Sequence, residues 1–313
     1  MNDILIRSDG PLELGLSVGE VEAILAPFIT RTYSSDDANW QQKLSVLRNK
    51  QRRSKWRRRI LGSIHPGYRR TQQGILTNYS SQWADYDWDA YLGPNGASTP
   101  YAWRNGGFDA SSACMRHVYL LFLMRAIGRL KPHNVLDVGF GSGHNLLMLS
   151  CRFSDIAFSG IELTEHGVET ARRVAALPEL PEIFSRYSPE PLDDIWRAGS
   201  VDLRQGNARN IPFERDSFEL VYTVLALEQM EEIRSHALAE LARVSARYVI
   251  MIEPFRDWNE TGMRRDYIIA NDYFAARVAD FEKLGFKVIF RTGDFPHKVR
   301  LGVGFVVFEK KSS

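Results

Sequence analysis

Cysteine is scarce in this chain, and long apolar runs are absent. Only Cys114 and Cys151 occur among 313 residues, each inside apolar sequence. Two such thiols make no disulfide framework, so a reducing compartment is expected. The longest apolar run, near Val118 to Met124, is far short of the roughly 20 residues a bilayer-spanning helix needs. The N-terminus MNDILIRSDGPLELG lacks the basic-then-apolar pattern of a signal peptide. The expectation is a cytoplasmic protein with no transmembrane segment. There is no internal repeat. Net charge is low as well, +2 at neutral pH, but it is unevenly spread. Lys43 to Arg70 holds eleven Lys or Arg and no Asp or Glu. Such a run reads either as a polyanion contact or as a solvated basic surface without a specific partner.

What is present changes character near residue 110. The stretch after the basic run carries Tyr79, Trp83, Tyr86, Trp88, Tyr91, Tyr101 and Trp103 among Gly, Pro and Asn clusters. Those clusters argue against long regular elements there. Residues 1–110 read as an N-terminal extension, a basic arm followed by an aromatic lid, and 111–313 as the main domain. From Ser111 the pattern is regular. Met115, Val118, Tyr119, Phe122, Leu123 and Ala126 recur at helical spacing, with Ser111 or Ser112 as the cap. Strands are expected at Val135–Val138, Ala157–Ile161, Val201–Arg204, Leu220–Thr223, Tyr248–Ile252, Lys287–Phe290 and Gly304–Phe308. Helical patterns lie between them; Ile233, Ala237, Leu241 and Val244 share one helix face. The alternation predicts a mostly parallel sheet with helices on both faces. The last two strands are joined too closely for a crossover, so they form an antiparallel hairpin.

The glycines of NVLDVGFGSGHNLLML, Gly139, Gly141 and Gly143, weaken any strand or helix they enter. A glycine turn between a strand and a helix lets backbone approach a ligand at the helix N-terminus. The spacing D-x-G-x-G-x-G is neither the dinucleotide fingerprint, which would need Gly at His144, nor a P-loop. At these residues the chain resembles the Rossmann-like class I S-adenosylmethionine-dependent methyltransferases, of the small-molecule or sugar-type branch. FSGIEL, GNARNIPF, DSFELVYTVLALEQM and YVIMIEP resemble four further motifs of that family in order. The likeness spans about Leu120 to Glu309. It implies an α/β fold with a seven-stranded, mostly parallel sheet, an antiparallel last strand and helices on both faces, here extended at the N-terminus.

The resemblance implies a cofactor, S-adenosyl-L-methionine, leaving as S-adenosyl-L-homocysteine. Its expected contacts are Asp137, Gly139, Phe140, Gly141, Gly143, Asn145, Glu162, Leu163, Asn207, Ala208, Thr223 and Val224. Glu162 would accept from the ribose hydroxyls, and Asp137 would hold the turn and the cationic methionine end. Asn207 stands where the family often has Asp, and Gln229 where relatives often have His. No metal is expected.

The loops after strands four to six should face the transferred methyl. They carry Glu228, Glu253, Arg264, Arg265, His297, Lys298 and Arg300. Arg264, Arg265, Lys298 and Arg300, with Tyr101 from the lid, are expected to grip an anionic acceptor through charge-assisted hydrogen bonds. An oxygen acceptor needs a base. His297 is the first choice for its pKa, Glu253 and Glu228 follow, and His144 and His117 are weaker choices.

The expected activity is O-methylation of an anionic sugar or surface glycan, with Arg48–Arg59 touching the inner membrane surface and Trp56, Ile60 and Leu61 dipping into it. RNA is an alternative acceptor, although no N-P-P-Y or D-P-P-Y tetrapeptide and no catalytic Pro-Cys pair is present. A natural-product small molecule is another. A non-catalytic module that keeps the cofactor fold is the reading from a different class.

Overall fold

The computed structural model describes residues 4–61, 87–192 and 200–311. In chain order the strands are β1 (Ile29–Ser34), β2 (Ser98–Trp103), β3 (Gly106–Ser111), β4 (Asn134–Val138), β5 (Ala157–Glu162), β6 (Asp202–Gln205), β7 (Phe218–Val224), β8 (Ser245–Glu253), β9 (Phe286–Thr292), β10 (His297–Lys298) and β11 (Gly304–Lys310). The helices are α1 (Val18–Leu25), α2 (Ala38–Leu61), α3 (Trp88–Leu92), α4 (Cys114–Leu130), α5 (His144–Arg152), α6 (Glu165–Ala175), α7 (Glu182–Tyr187), α8 (Arg234–Val244), α9 (Gly262–Asn271) and α10 (Val278–Glu282).

Seven strands form one sheet in the order β6-β5-β4-β7-β8-β11-β9. Pairing from β6 through β8 is parallel, while β11 runs antiparallel to both β8 and β9. All seven expected strands are present, and the closing hairpin is antiparallel as its short link requires. Alternation along each strand divides the core into two layers. Tyr248, Ile250 and Ile252 of β8 face one layer with α4 and α5; Val249 and Met251 face the other with α8 and α10. Strands apolar on both faces are what a sheet covered by helices on both sides demands.

The region before residue 111 departs from expectation. Its Gly and Asn residues do not break regular structure; they turn it. Trp103 pairs with Gly106 across the two-residue turn Arg104–Asn105, and Arg104 takes φ 52°. The resulting β2–β3 hairpin joins β1 and β10 in a second, four-stranded sheet ordered β1-β3-β2-β10. Strands of the N-terminal region and residues 297–298 therefore share one sheet. The helix expected from Ser111 begins at Cys114, and neither Ser111 nor Ser112 caps it; the N-cap is Ala113.

Two more N-terminal segments lie on the main body. The Asp9 N–H donates to the Arg291 carbonyl at 2.9 Å and the Arg291 N–H to the Asp9 carbonyl at 2.8 Å, covering the edge of β9. The basic run forms α2, which packs along α9 through Lys55–Asp266 (2.6 Å) and Arg58–Asp272 (3.1 Å). Trp40, at the start of α2, stacks on Tyr33 with ring centroids 5.2 Å apart. Residues 62–70 of the basic run, and Tyr79, Trp83 and Tyr86 of the aromatic stretch, lie outside the described residues.

Candidate active site

β4 ends at Val138 and the chain re-enters a helix at His144, so the intervening turn is tight. Gly139 sits at φ +87°, and a Cβ there would lie 2.6 Å from the Ala226 Cβ. Gly143 caps α5 at φ +85°, and a Cβ there would lie 2.8 Å from the Ala171 Cβ. Left-handed backbone and close neighbours both exclude a side chain. The Gly139 N–H donates to the Ile161 carbonyl at 2.8 Å, tying the turn to β5. The Gly141 N–H donates to the Glu162 carboxylate at 3.1 Å.

At this end of the sheet, beyond the carboxyl ends of the parallel strands, lies a cavity of about 430 Å³. One half of its wall comes from the turn and the strand ends. Gly139, Phe140 and Gly141 belong to the turn, flanked by Asp137 of β4 and Asn145 of α5; Glu162 ends β5 and Leu163 follows it; Asn207 and Ala208 follow β6; Val224 ends β7. Ten of the twelve expected cofactor residues therefore line it. Gly143 and Thr223 do not: Gly143 is the helix cap, and Thr223 is fully buried in β7.

This half is acidic and held in place. Glu162 accepts from the Gly141 N–H, the Thr164 N–H (2.9 Å) and the Thr164 hydroxyl (2.8 Å), which leaves lone pairs for a ligand. Burial pushes the Asp137 carboxyl up to about 8, with the Glu162 charge adding to the rise and the Tyr222 hydroxyl opposing it. A cationic ligand would reverse that shift. The Asn145 Oδ1 is buried with no hydrogen-bond partner among the described residues, a vacant acceptor at the cavity wall.

The rest of the lining includes side chains from other elements: Tyr91 of α3, Arg116 and Tyr119 of α4, His144 at the start of α5, Glu228, and Lys298 of β10. The Arg116 guanidinium lies 3.6 Å from the Tyr91 ring centroid and donates to the Tyr91 carbonyl at 3.1 Å. His144 meets the edge of Tyr91 at 5.1 Å, and neither of its ring nitrogens has a hydrogen-bond partner among the described residues. Burial, with Arg116 and His117 nearby, holds its pKa well below the ordinary histidine value. Burial also lowers the Lys298 ammonium, which the Glu228 carboxylate partly offsets.

Several expected residues stand elsewhere. His297 is next to Lys298, and successive strand residues point to opposite faces. Its Nε2 faces the Gly293 carbonyl at 2.8 Å and its Nδ1 accepts from the Val303 N–H at 3.3 Å, so it pins a turn. Burial drives its pKa down to about 3. His117 is likewise structural, stacked against Phe28 at 5.0 Å and bonded to the Leu92 carbonyl at 2.8 Å. Glu253 lies beneath the wall, where its carboxylate accepts from the N–H groups of Ala226 (3.0 Å), Leu227 (3.1 Å) and Glu228 (3.3 Å). It fixes the turn that presents Glu228.

Of the four expected acceptor cations only Lys298 lines the cavity. Arg264 turns toward the Trp258 carbonyl, Arg265 toward the Glu260 carbonyl, and Arg300 lies over the Tyr267 ring. Tyr101 is fully buried and stacked on Phe108. Arg116 was not anticipated as a site residue. The signal was available: it is the cation in the otherwise apolar, uncharged face of CMRHVYLLFLM.

Fold and site together define a Rossmann-like α/β protein whose glycine turn and strand-end carboxylate suit a cationic nucleoside ligand. Residues 136–250 match the family model described as a methyltransferase domain. S-adenosylmethionine is the cofactor of that class, and the cradle at Gly139, the Glu162 carboxylate and the vacant Asn145 oxygen fit it. The chain is similar to O-methyltransferase rstn1 of Aspergillus nomiae, 29% identical over 39% of this chain and 48% of that one. It is also similar to the uncharacterized methyltransferase YcgJ of Bacillus subtilis, 31% identical over 36% of each. It thus spans less than half the length of these curated relatives. Among solved structures, the [4+2]-cyclase SpnF superposes with a TM-score of 0.51 at 16% identity, covering 78% of this chain and 98% of that one. That likeness establishes the shared fold.

Proposed function

We propose that this protein transfers a methyl group from S-adenosylmethionine to an oxygen of an anionic acceptor, an acidic sugar or surface glycan. The observation that carries the reading is that Arg116 and Lys298 line the same cavity as the glycine turn. The cavity thus offers carboxylates, Asp137 and Glu162, that suit a cationic cofactor, and cations, Arg116 and Lys298, that suit an anionic acceptor. The likeness to a fungal O-methyltransferase supports an oxygen target.

S-adenosylmethionine, when bound, supplies an electrophilic methyl group on a positively charged sulfur that departs as a neutral thioether. The chain's own task is then orientation and exclusion of water. Glu162 and Asp137 fix one reactant. Arg116 and Lys298 fix the other. An acceptor hydroxyl must give up its proton to become methylated. His144 is the group proposed to receive it: it is neutral, unbonded through either ring nitrogen among the described residues, and in the cavity wall. His297, the base expected from the sequence, does not line the cavity.

The test is incorporation of labelled methyl from S-adenosylmethionine into a fractionated cell extract. Label in an acidic glycan or glycan-precursor pool supports the reading. Label in RNA, or in a neutral small molecule, overturns it. Cofactor binding without label in any pool would assign the chain to the non-catalytic class.

A further inference from the structure

We infer that the outer face of α2 is a binding surface for anionic phospholipid bilayers. This goes beyond the proposed reaction and does not depend on it. The basic run is a single helix whose charges are sorted by face. One stripe, Trp40, Lys43, Leu44, Leu47, Gln51, Lys55 and Arg58, recurs at helical spacing and faces the body. Each cation of that stripe is matched by a carboxylate: Lys43 by Asp109 at 2.5 Å, Lys55 by Asp266 at 2.6 Å, Arg58 by Asp272 at 3.1 Å. The outer face carries Arg52, Arg53 and Arg57, with Arg48, Lys50 and Arg59 on its flanks, all exposed and with no ion pair among the described residues. No acidic residue lies anywhere between Ala38 and Leu61.

Charge alone would suit any polyanion. The apolar residues on that face decide between them. Val46 is 61% exposed, Trp56 is 66% exposed and Ile60 is 42% exposed. At 100° per residue, Val46, Trp56 and Ile60 project within about 80° of one another, opposite the docked stripe and flanked by Arg53 and Arg57. An aromatic and two aliphatic side chains amid cations form the pattern of a helix lying in a lipid interface. A phosphate-binding surface for nucleic acid gains nothing from exposed Val and Ile. The docked stripe holds the helix along α9, so the outer face is presented ready-formed. Basic residues near an anionic leaflet each add electrostatic attraction that fades within a Debye length.

The experiment is co-sedimentation of the full chain with vesicles of phosphatidylcholine, alone and mixed with phosphatidylglycerol, at low and high salt. Binding to the mixed vesicles alone, weakened by salt, is expected. Changing Arg52, Arg53, Arg57 and Arg59 to Gln should lower partitioning about fivefold per cation. Trp56→Ser should lower it several-fold in a way that salt does not reproduce. These exposed residues lie away from the cavity, so S-adenosylhomocysteine binding by each variant verifies the fold. Equal binding to both vesicle types overturns the inference. So does binding to neither, or tight binding to RNA with none to the mixed vesicles.

Discussion

The two halves of the cavity are made in different ways. The cofactor side rests on backbone geometry: a turn with glycines at φ +87° and φ +85°, tied by its N–H groups to Ile161 and Glu162, with carboxylates at the ends of neighbouring strands. The proposed acceptor side draws on side chains from positions as distant as Tyr91, Arg116 and Lys298. A surface built from backbone tolerates few substitutions and repeats across a family. A surface built from side chain tips can be rewritten one residue at a time without disturbing the fold. That difference separates what a reader of the sequence can infer from what has to be seen.

The comparison can be broken at several points. The largest effect belongs to the turn. Gly139→Val places a branched Cβ on Ala226 at a left-handed φ, which should cost about 3 kcal/mol or more in stability and abolish cofactor binding. Thermal unfolding and calorimetric titration with S-adenosylhomocysteine measure both. Next, Glu162→Ala removes charged hydrogen bonds to ligand and turn. Cofactor affinity should fall by about ten- to a hundredfold, at roughly 1.5–3 kcal/mol for such bonds. Normal affinity in that variant would dissolve the ribose assignment.

Arg116→Ala sharpens the contrast from the other side. Acceptor KM should rise about tenfold or more, while cofactor Kd stays put. A matching loss of cofactor affinity would mean the halves are not separable.

The pH dependence carries a definite sign. The Asp137 carboxyl, ordinarily near 3.8, titrates near 8 in the folded protein, so folding retains a proton between those values. Stability without cofactor should therefore fall as pH rises from about 4 to 8. Glu253, also raised to about 8, acts in the same direction. Affinity for the cationic cofactor runs the other way. It should strengthen up to tenfold per pH unit below 8 and level off above. Asp137→Asn should flatten that profile. The smallest effect is expected from His297→Gln: a loss of about 1–2 kcal/mol in stability from a buried hydrogen-bonded ring, with cofactor affinity unchanged.

Legibility followed the same division. The glycine spacing, the acid at the end of the next strand and the alternation of strands with helices are local patterns, so the mostly parallel sheet is legible in them, and the family resemblance they carry implies ten positions that line the cavity. The acceptor side could not, because nothing local distinguishes His297 from Lys298. A one-residue step along β10 sends one to a buried turn and the other to the cavity. The β2–β3 hairpin was hidden for another reason. Clusters of Gly, Pro and Asn argue against long regular elements, yet Arg104–Asn105 is the two-residue turn of a hairpin. For α2 the composition was plain, but which cations are neutralised depends on acids supplied by β3 and α9.

The sheet that joins β1, β2 and β3 to β10 also constrains the order of assembly. Its first three strands leave the ribosome long before residues 297–298 exist. During synthesis β2 must wait with an open edge while nearly two hundred residues are added. The last step to close the edge is the one that delivers Lys298 to the cavity. A nascent chain lacking β10 also lacks β11, the strand between β8 and β9, so the main sheet and the cavity wall that Lys298 joins are both completed at the very end of synthesis.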